Sequence, residues 1–423
     1  MLKQIVAPAP ELVQFTDALN LPLSQPQLKH IQQVADGLIT VDGDKNLSNL
    51  YRHIVGNPCP KSAADTFRES PWTDHDIRIP LRKHLVKTAF QLAEASDNPP
   101  QQVFLSLDDS LTEKDRHSRR LESVDWHFDH ARSQPKKPVH TKGTVYVMLR
   151  LQVGTVSMTV DMQLYLREKT VRKLNRARCQ GKRLPFRTKM TIARQMFKAI
   201  APMIPKKYQV YVLFDSWYAS AKLIKWCRKR KWQVICQLKS NRQLDGLAVK
   251  LHHQQCKRRR YMSVSLRAAD DESVKRYQVR SRTGMLNNID QPVRVYISQR
   301  SKRDKHPRYY LSTDCSLDAQ TALTFFSHRW SCEVSNWYVA ERLGWADCRL
   351  WRVESTSKFM MVLWLALAYL EMRCAQSEAV NSVAEAIWIH RQEHAQQILE
   401  EACRLVKQTD DLPQVLERFT VDA

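Results

Sequence analysis

Beyond residue 102 the periodicity of the chain changes, and that change narrows the possible folds more than any other feature. In "ASDNPPQQ" (95–102) consecutive prolines stop a helix and favour an extended link. After them "QVFLSL", "TVYVMLRLQV" and "TVSMTVDMQLYL" read as three strands in succession, the last two plausible as an antiparallel pair. A basic connection, "REKTVRKLNRARCQGKRLPFRTK", leads into a helix near 187–201. Then come a strand, "YQVYVLF", helical spacing in "WYASAKLIKWCRKR", and another strand, "WQVICQL". Strands alternating with helices in this order predict one mixed α/β sheet.

The flanks read differently. Residues 21–98 predict helices: "LSQPQLKHIQQVADGLI" has near-helical apolar spacing with Ser24 at its start, and "DGDKNLSNLYRHIV" offers a second helix from Asn46. Short helices with basic faces suit DNA reading, and packing on a catalytic core is their plain alternative. Between 239 and 315 the pattern is basic, polar and strand-prone, which predicts a β-rich insertion because it is too long for a connection. A helix capped by Ser316 or Asp318 then carries Glu333. "FMMVLWLALAYL" (359–370) falls short of the roughly 20 residues that span a bilayer and reads as a buried helix. The expected organisation is a helical DNA-binding region (1–98), the first part of the core (99–238), the basic insertion (239–315), the glutamate helix (316–345) and a helical C-terminal region (346–423).

Charge suggests the partner. The 423 residues carry 67 Lys plus Arg against 43 Asp plus Glu, a formal charge of +24, and such a field favours polyanions through phosphate contacts and counterion release. Within 228–260 eleven bases accompany one acid, Asp245, and the run Lys257, Arg258, Arg259 and Arg260 suits a DNA backbone without base reading. Ten scattered cysteines with no CxxC pair, and no signal-like opening segment, point to a reducing cytoplasm rather than a disulfide framework.

Four acids stand out. Asp108 and Asp109 are expected where the first strand ends, Asp215 where the fourth ends, and Glu333 on a helix one turn after Arg329. Carboxylates on rigid elements supply hard oxygen ligands for Mg²⁺, and a pair of ions can activate a nucleophile and stabilise the leaving oxygen of a phosphodiester. Each acid also has a plain reading as a turn cap, a helix cap or a salt-bridge partner. His127, Asp129 and His130 in "DWHFDH" lack a complete metal shell and read as a DNA-contacting or structural loop beside the acids.

Together "LSLDDSLTEK", "VDWHFDH", "VLFDSWYAS" and "FFSHRWSCEVSNWYVAERLG" resemble the DDE transposases of the IS4 and IS701-like bacterial insertion sequences, over roughly 100–345. The resemblance implies an RNase H-like catalytic core whose acids are Asp109 (beside Ser110, in preference to Asp108), Asp215 and Glu333. It implies two Mg²⁺ ions, replaceable by Mn²⁺. Arg329, one turn before Glu333, is expected to hold a DNA phosphate or orient the glutamate, a local salt bridge being its plain alternative, and His127 and His130 are the expected DNA contacts of the "WHFDH" loop. The signature of tyrosine, arginine, glutamate and lysine is matched by Phe326, Arg329, Glu333 and Ala340. Two of these depart from it, losing a hydroxyl and a charge that Arg342 or Lys222 would have to replace. The implied activity is cut-and-paste transposition: end cleavage, strand transfer, and a hairpin step with a flipped base. The implied partners are duplex DNA with terminal inverted repeats, target DNA and a second copy in a synaptic dimer, near the bacterial nucleoid. The competing readings are an RNase H-like nuclease or resolvase without strand transfer, and a domesticated, inactive DNA-binding protein.

Overall fold

A computed structural model describes residues 2–56, 60–134, 137–255, 261–267, 273–301, 304 and 306–421. The four-residue run Lys257 to Arg260 lies outside the described residues. The strands are β1 (Gln102–Glu113), β2 (Asp125–Phe128), β3 (His140–Val153), β4 (Val156–Tyr165), β5 (Gln209–Phe214), β6 (Gln233–Leu238), β7 (Gln243–Leu244), β8 (Leu247–Ala248), β9 (Met262–Arg267), β10 (Val274–Gly284), β11 (Val293–Gln299) and β12 (Arg308–Ser312). Ten of them form one sheet in the order β2-β3-β1-β5-β6-β12-β11-β10-β9, with β4 also paired to β3, while β7 and β8 pair separately.

At its centre β1 lies antiparallel to β3 and parallel to β5, and β5 is parallel to β6. This mixed arrangement is the one the strand and helix order predicts, and it is consistent with an RNase H-like domain. Four strands of the basic region, β9 to β12, add to the free edge of β6 through β12, all antiparallel. The insertion therefore extends the core sheet.

Helices flank the sheet: α1 (Pro10–Ala18), α2 (Gln25–Thr40), α3 (Leu47–Arg52), α4 (Pro60–Arg68), α5 (Asp74–Glu94), α6 (Glu168–Arg176), α7 (Lys189–Ile200), α8 (Ala221–Arg228), α9 (Val249–Gln255), α10 (Ala319–Ser327), α11 (Trp330–Trp337), α12 (Val353–Gln376), α13 (Val383–Thr409) and α14 (Leu412–Phe419). Side chains alternate between faces along a strand. Val103, Leu105 and Leu107 of β1 belong to the main core with α5, α7 and α8, whereas Phe104 packs with Tyr211, Leu213 and Ile235 against Phe325 and Phe326 of α10. Burial on both faces explains why β1 reads as an apolar run rather than an alternating one.

α12 is twice the length of its apolar run because buried polar residues such as Lys358 and Glu371 extend it. It is long and apolar enough to cross a membrane, yet 78% of its most apolar window is buried inside the protein. It packs against α2, α4, α5, α13 and β4. The Arg82 guanidinium of α5 donates to Asp161 of β4 at 2.5 Å, both buried. The N-terminal helices are thus built into the same core as the sheet.

Candidate active site

The acids sit where the parallel pairing of β1 with β5 runs out. The register ends at Leu107 opposite Phe214, so the next residues, Asp108 and Asp215, are neighbours at the mouth of the sheet. The expectation that β1 ends at these aspartates is corrected: β1 continues to Glu113, held by β3, with Asp108 opposite Met148 and Asp109 opposite Val147. The two aspartates are therefore mid-strand, and the pleat sends their side chains to opposite faces.

That division decides their partners. Asp108 faces the side covered by α10 and α11, where it accepts a hydrogen bond from Arg329 at 3.1 Å. The same guanidinium pairs with Glu333, one helical turn along. Asp109 accepts from the Tyr218 hydroxyl at 2.8 Å and from Lys189 Nζ at 2.5 Å. The Lys189 ammonium also lies over the rings of Trp217 and Tyr165, 5.0 and 5.4 Å from their centroids. Asp215 accepts from the amides of Trp217 and Tyr218, which folds the "DSWY" segment back on itself.

Three carboxylates, Asp108, Asp215 and Glu333, thus meet one paired cation, Arg329, while Asp109 on the other face is taken up by Lys189. Burial, opposed by Arg329 and reinforced by repulsion from Asp109 and Asp215, pushes the Asp108 carboxyl up to about 7. Burial also raises Asp215, with Asp109 adding repulsion against the hydrogen bond from the Tyr218 amide. Oxygen donors with a surplus of negative charge on one face fit a divalent cation. Asp108, Asp215 and Glu333 are the residues that would hold it.

The helices that carry Arg329 and Glu333 are fixed from behind. Tyr146 of β3 donates to Asn336 of α11 at 3.0 Å, and Arg150 donates to Ser331 at 3.2 Å. After α11 the chain forms a π-turn at Tyr338–Arg342, which places Ala340 in an irregular segment. Lys45 donates to the Arg342 carbonyl, and Lys114 to those of Trp345, Ala346 and Cys348. Gly344, at φ +75°, is where this turn needs a glycine: an added Cβ would meet the Lys45 side chain at 2.5 Å.

The other expected contacts fall in several places. His127 of β2 is buried, and burial pulls its imidazole down to about 4, so it is uncharged near neutral pH. That removes the charge a phosphate contact would use. His130 is exposed, its ring edge-on to Phe128 with centroids 4.7 Å apart, and Trp126 is exposed nearby. Phe326 packs on Tyr310, and Arg342 lies over Trp337. Sequence reasoning missed Lys189 and Tyr218. Tyr218 was within reach, three residues after Asp215, but nothing in "RTKMT" marks Lys189 as a partner of Asp109.

On the open side of Glu333 a groove of about 500 Å³ is lined by Arg267, Lys275, Arg300 and Arg308 beside Tyr277 and Trp330. It runs from Arg329 and Glu333 to the strands of the insertion.

The family model of the DDE superfamily endonucleases matches residues 20–288, from before α2 into the β10–β11 link. The chain belongs to that family. A comparison with curated proteins finds no match. Membership makes this DDE endonuclease a transposase-like DNA-cleaving enzyme of a class that typically uses divalent metal ions. Glu333 lies outside the matched residues.

Proposed function

We propose that this DDE endonuclease is a cut-and-paste DNA transposase of the IS4/IS701 kind, and that Asp108, Asp215 and Glu333 are its metal-holding acids. The observation that carries the assignment is Arg329, which joins Asp108 to Glu333 on the face where Asp108 neighbours Asp215. Asp109, the sequence's choice, is neutralised by Lys189 and held by Tyr218, so its role here is to position the "DSWY" segment.

Bound Mg²⁺ would activate water and stabilise the leaving oxygen of a phosphodiester. The chain's own residues do the rest. Arg329 neutralises the acids at rest, and its planar fork suits a DNA phosphate entering beside Glu333. The groove bases hold the backbone leading to that point, and its aromatic rings offer a stacking surface for an unpaired base. Cleavage frees a 3′-OH, and the same in-line displacement then joins it to target DNA. Action on inverted repeats by a synaptic dimer belongs to this reading, as does a DNA-end role for residues 1–98.

The test uses a labelled duplex made from the DNA flanking the reading frame, incubated with a target plasmid and Mg²⁺ or chelator. Nicking at one position and joining of that 3′ end to the plasmid, both lost with chelator, are expected. Cleavage without joining would make the protein a nuclease or resolvase, and neither product would make it an inactive DNA-binding protein.

A further inference from the structure

In a cluster that shares no residue with the acid cleft, Asp36 of α2 meets His390 and His394 of α13, and their ligand atoms all lie within 4.8 Å of one another. The three side chains are at most 1% exposed. The two imidazoles stand one helical turn apart, which turns both rings to the same side of α13. His390 Nε2 lies 2.8 Å from Asp36 Oδ1, and His394 Nε2 lies 3.0 Å from both carboxylate oxygens.

As a hydrogen-bond network this arrangement is badly distributed. Oδ1 faces both imidazoles and the Ala9 amide at 3.4 Å, whereas Oδ2 has no partner with hydrogen-bond geometry. Among the described residues no lysine or arginine pairs with Asp36. With both imidazoles neutral the cluster keeps a full negative charge in the core that hydrogen bonds on one oxygen answer and no cation balances, which is costly at such burial. As a ligand shell the same atoms are coherent: two Nε2 donors and a carboxylate converge. The Tyr369 hydroxyl, 3.4 Å from His390 Nδ1, sits where an outer partner would fix that ring.

We propose that Asp36, His390 and His394 form a structural zinc site. Two imidazoles and one carboxylate suit a borderline ion such as Zn²⁺, whereas Mg²⁺ prefers oxygen alone, so the two metals would sort between the two sites. Water would complete the tetrahedron. The ion would staple α2 to α13, joining parts of the chain more than 350 residues apart in sequence. A proton on one imidazole would also balance the charge, and the experiment must separate the two arrangements.

The full-length protein, produced in zinc-supplemented medium and desalted, is assayed for metal by mass spectrometry. One zinc per chain is expected in the wild type and in Glu333→Gln, and its loss in His394→Gln. Cobalt in place of zinc should give the visible spectrum of a four-coordinate nitrogen and oxygen site. This wild-type measurement decides even if His394→Gln fails to fold. Folded wild type holding only traces of zinc after loading overturns the proposal in favour of the protonated network. Zinc lost from Glu333→Gln but kept by His394→Gln overturns it by moving the ion to the cleft.

Discussion

Two arginines meet carboxylates on the same face of the sheet, with opposite outcomes. Arg150 of β3 pairs with Glu371 of α12, both buried, and its nitrogens also donate to Ser331, Thr159, Ser335 and Ser157. Glu371 is answered in turn by the Thr159 amide at 2.7 Å and hydroxyl at 3.1 Å. One cation meets one anion, and every nitrogen of the guanidinium has a partner. Arg329 instead stands between Asp108 and Glu333 beside Asp215, and its Nε has none. An unpartnered atom is not in itself the mark of a working site, since Arg82 Nε and Asp161 Oδ1 also lack partners inside a sealed structural pair. What distinguishes the cleft is that its acids outnumber its cations and open onto a groove. A saturated ion pair holds the fold; a surplus of like charge at an open edge is available for chemistry.

The comparison breaks first if the cleft acids prove structural. Asp108→Asn, Asp215→Asn and Glu333→Gln should each lower Mg²⁺-dependent cleavage by on the order of a thousandfold, the scale of removing one strong electrostatic interaction from a transition state. Melting temperatures should hold or rise, because each change relieves repulsion. Asp109→Asn should cost cleavage far less. Full activity of Asp108→Asn beside a dead Asp109→Asn would return the first ligand to the sequence's choice.

Next in size is the opposite experiment. Glu371→Ala strands Arg150 in the core, and removing one partner of a buried pair costs about 3–5 kcal/mol. Urea unfolding should register that loss, while the remaining folded protein cleaves DNA normally at matched folded concentration. A stable Glu371→Ala protein with no cleavage would mean that this pair also serves the chemistry.

A smaller effect is expected in the groove. Lys275→Ala with Arg308→Ala should weaken binding to any duplex and flatten the plot of log affinity against log salt by up to about 2, roughly 0.9 for each phosphate no longer neutralised. An unchanged slope would take the DNA path elsewhere, with the Lys257 to Arg260 run the next set to replace.

The sequence disclosed the sheet more fully than the site. Apolar strands separated by a helix announced the β1, β5 and β6 arrangement because burial on both faces leaves a local signature. The acids stood out as residue types, and the sequence favoured Asp109 where the proposed site takes Asp108. The choice depends on which face each presents, and that follows from a parallel register with β5, about a hundred residues away. The insertion was legible as strands but not as an extension of β6, because edge pairing leaves no mark in composition. Nor did the proline boundary before residue 102 mark a separable unit: α5 is tied into β4 by Arg82 and Asp161. Removing residues 1–94 should therefore unfold the core rather than only blunt DNA selection.

The smallest effect concerns His127, whose Nε2 is another unpartnered atom beside the cleft. If surplus charge marks the working side, an uncharged imidazole should matter to the fold and not to DNA. Burial lowers its folded pKa to about 4 against an unfolded value of 6.5, so between those limits the unfolded chain binds more protons than the native one. The stability tied to this group is complete above about pH 6.5 and is lost as pH falls toward 4, by about 3 kcal/mol for a shift of that size. His127→Gln should make unfolding less sensitive to acid across that window, measured by urea titration at several pH values. At pH 6, where an ordinary imidazole is largely protonated and one held down to about 4 is not, the variant's salt slope for DNA should match wild type. A slope flattened by about one phosphate's share would show that His127 carries charge to the DNA, and the boundary between fold and chemistry would have to move to include β2.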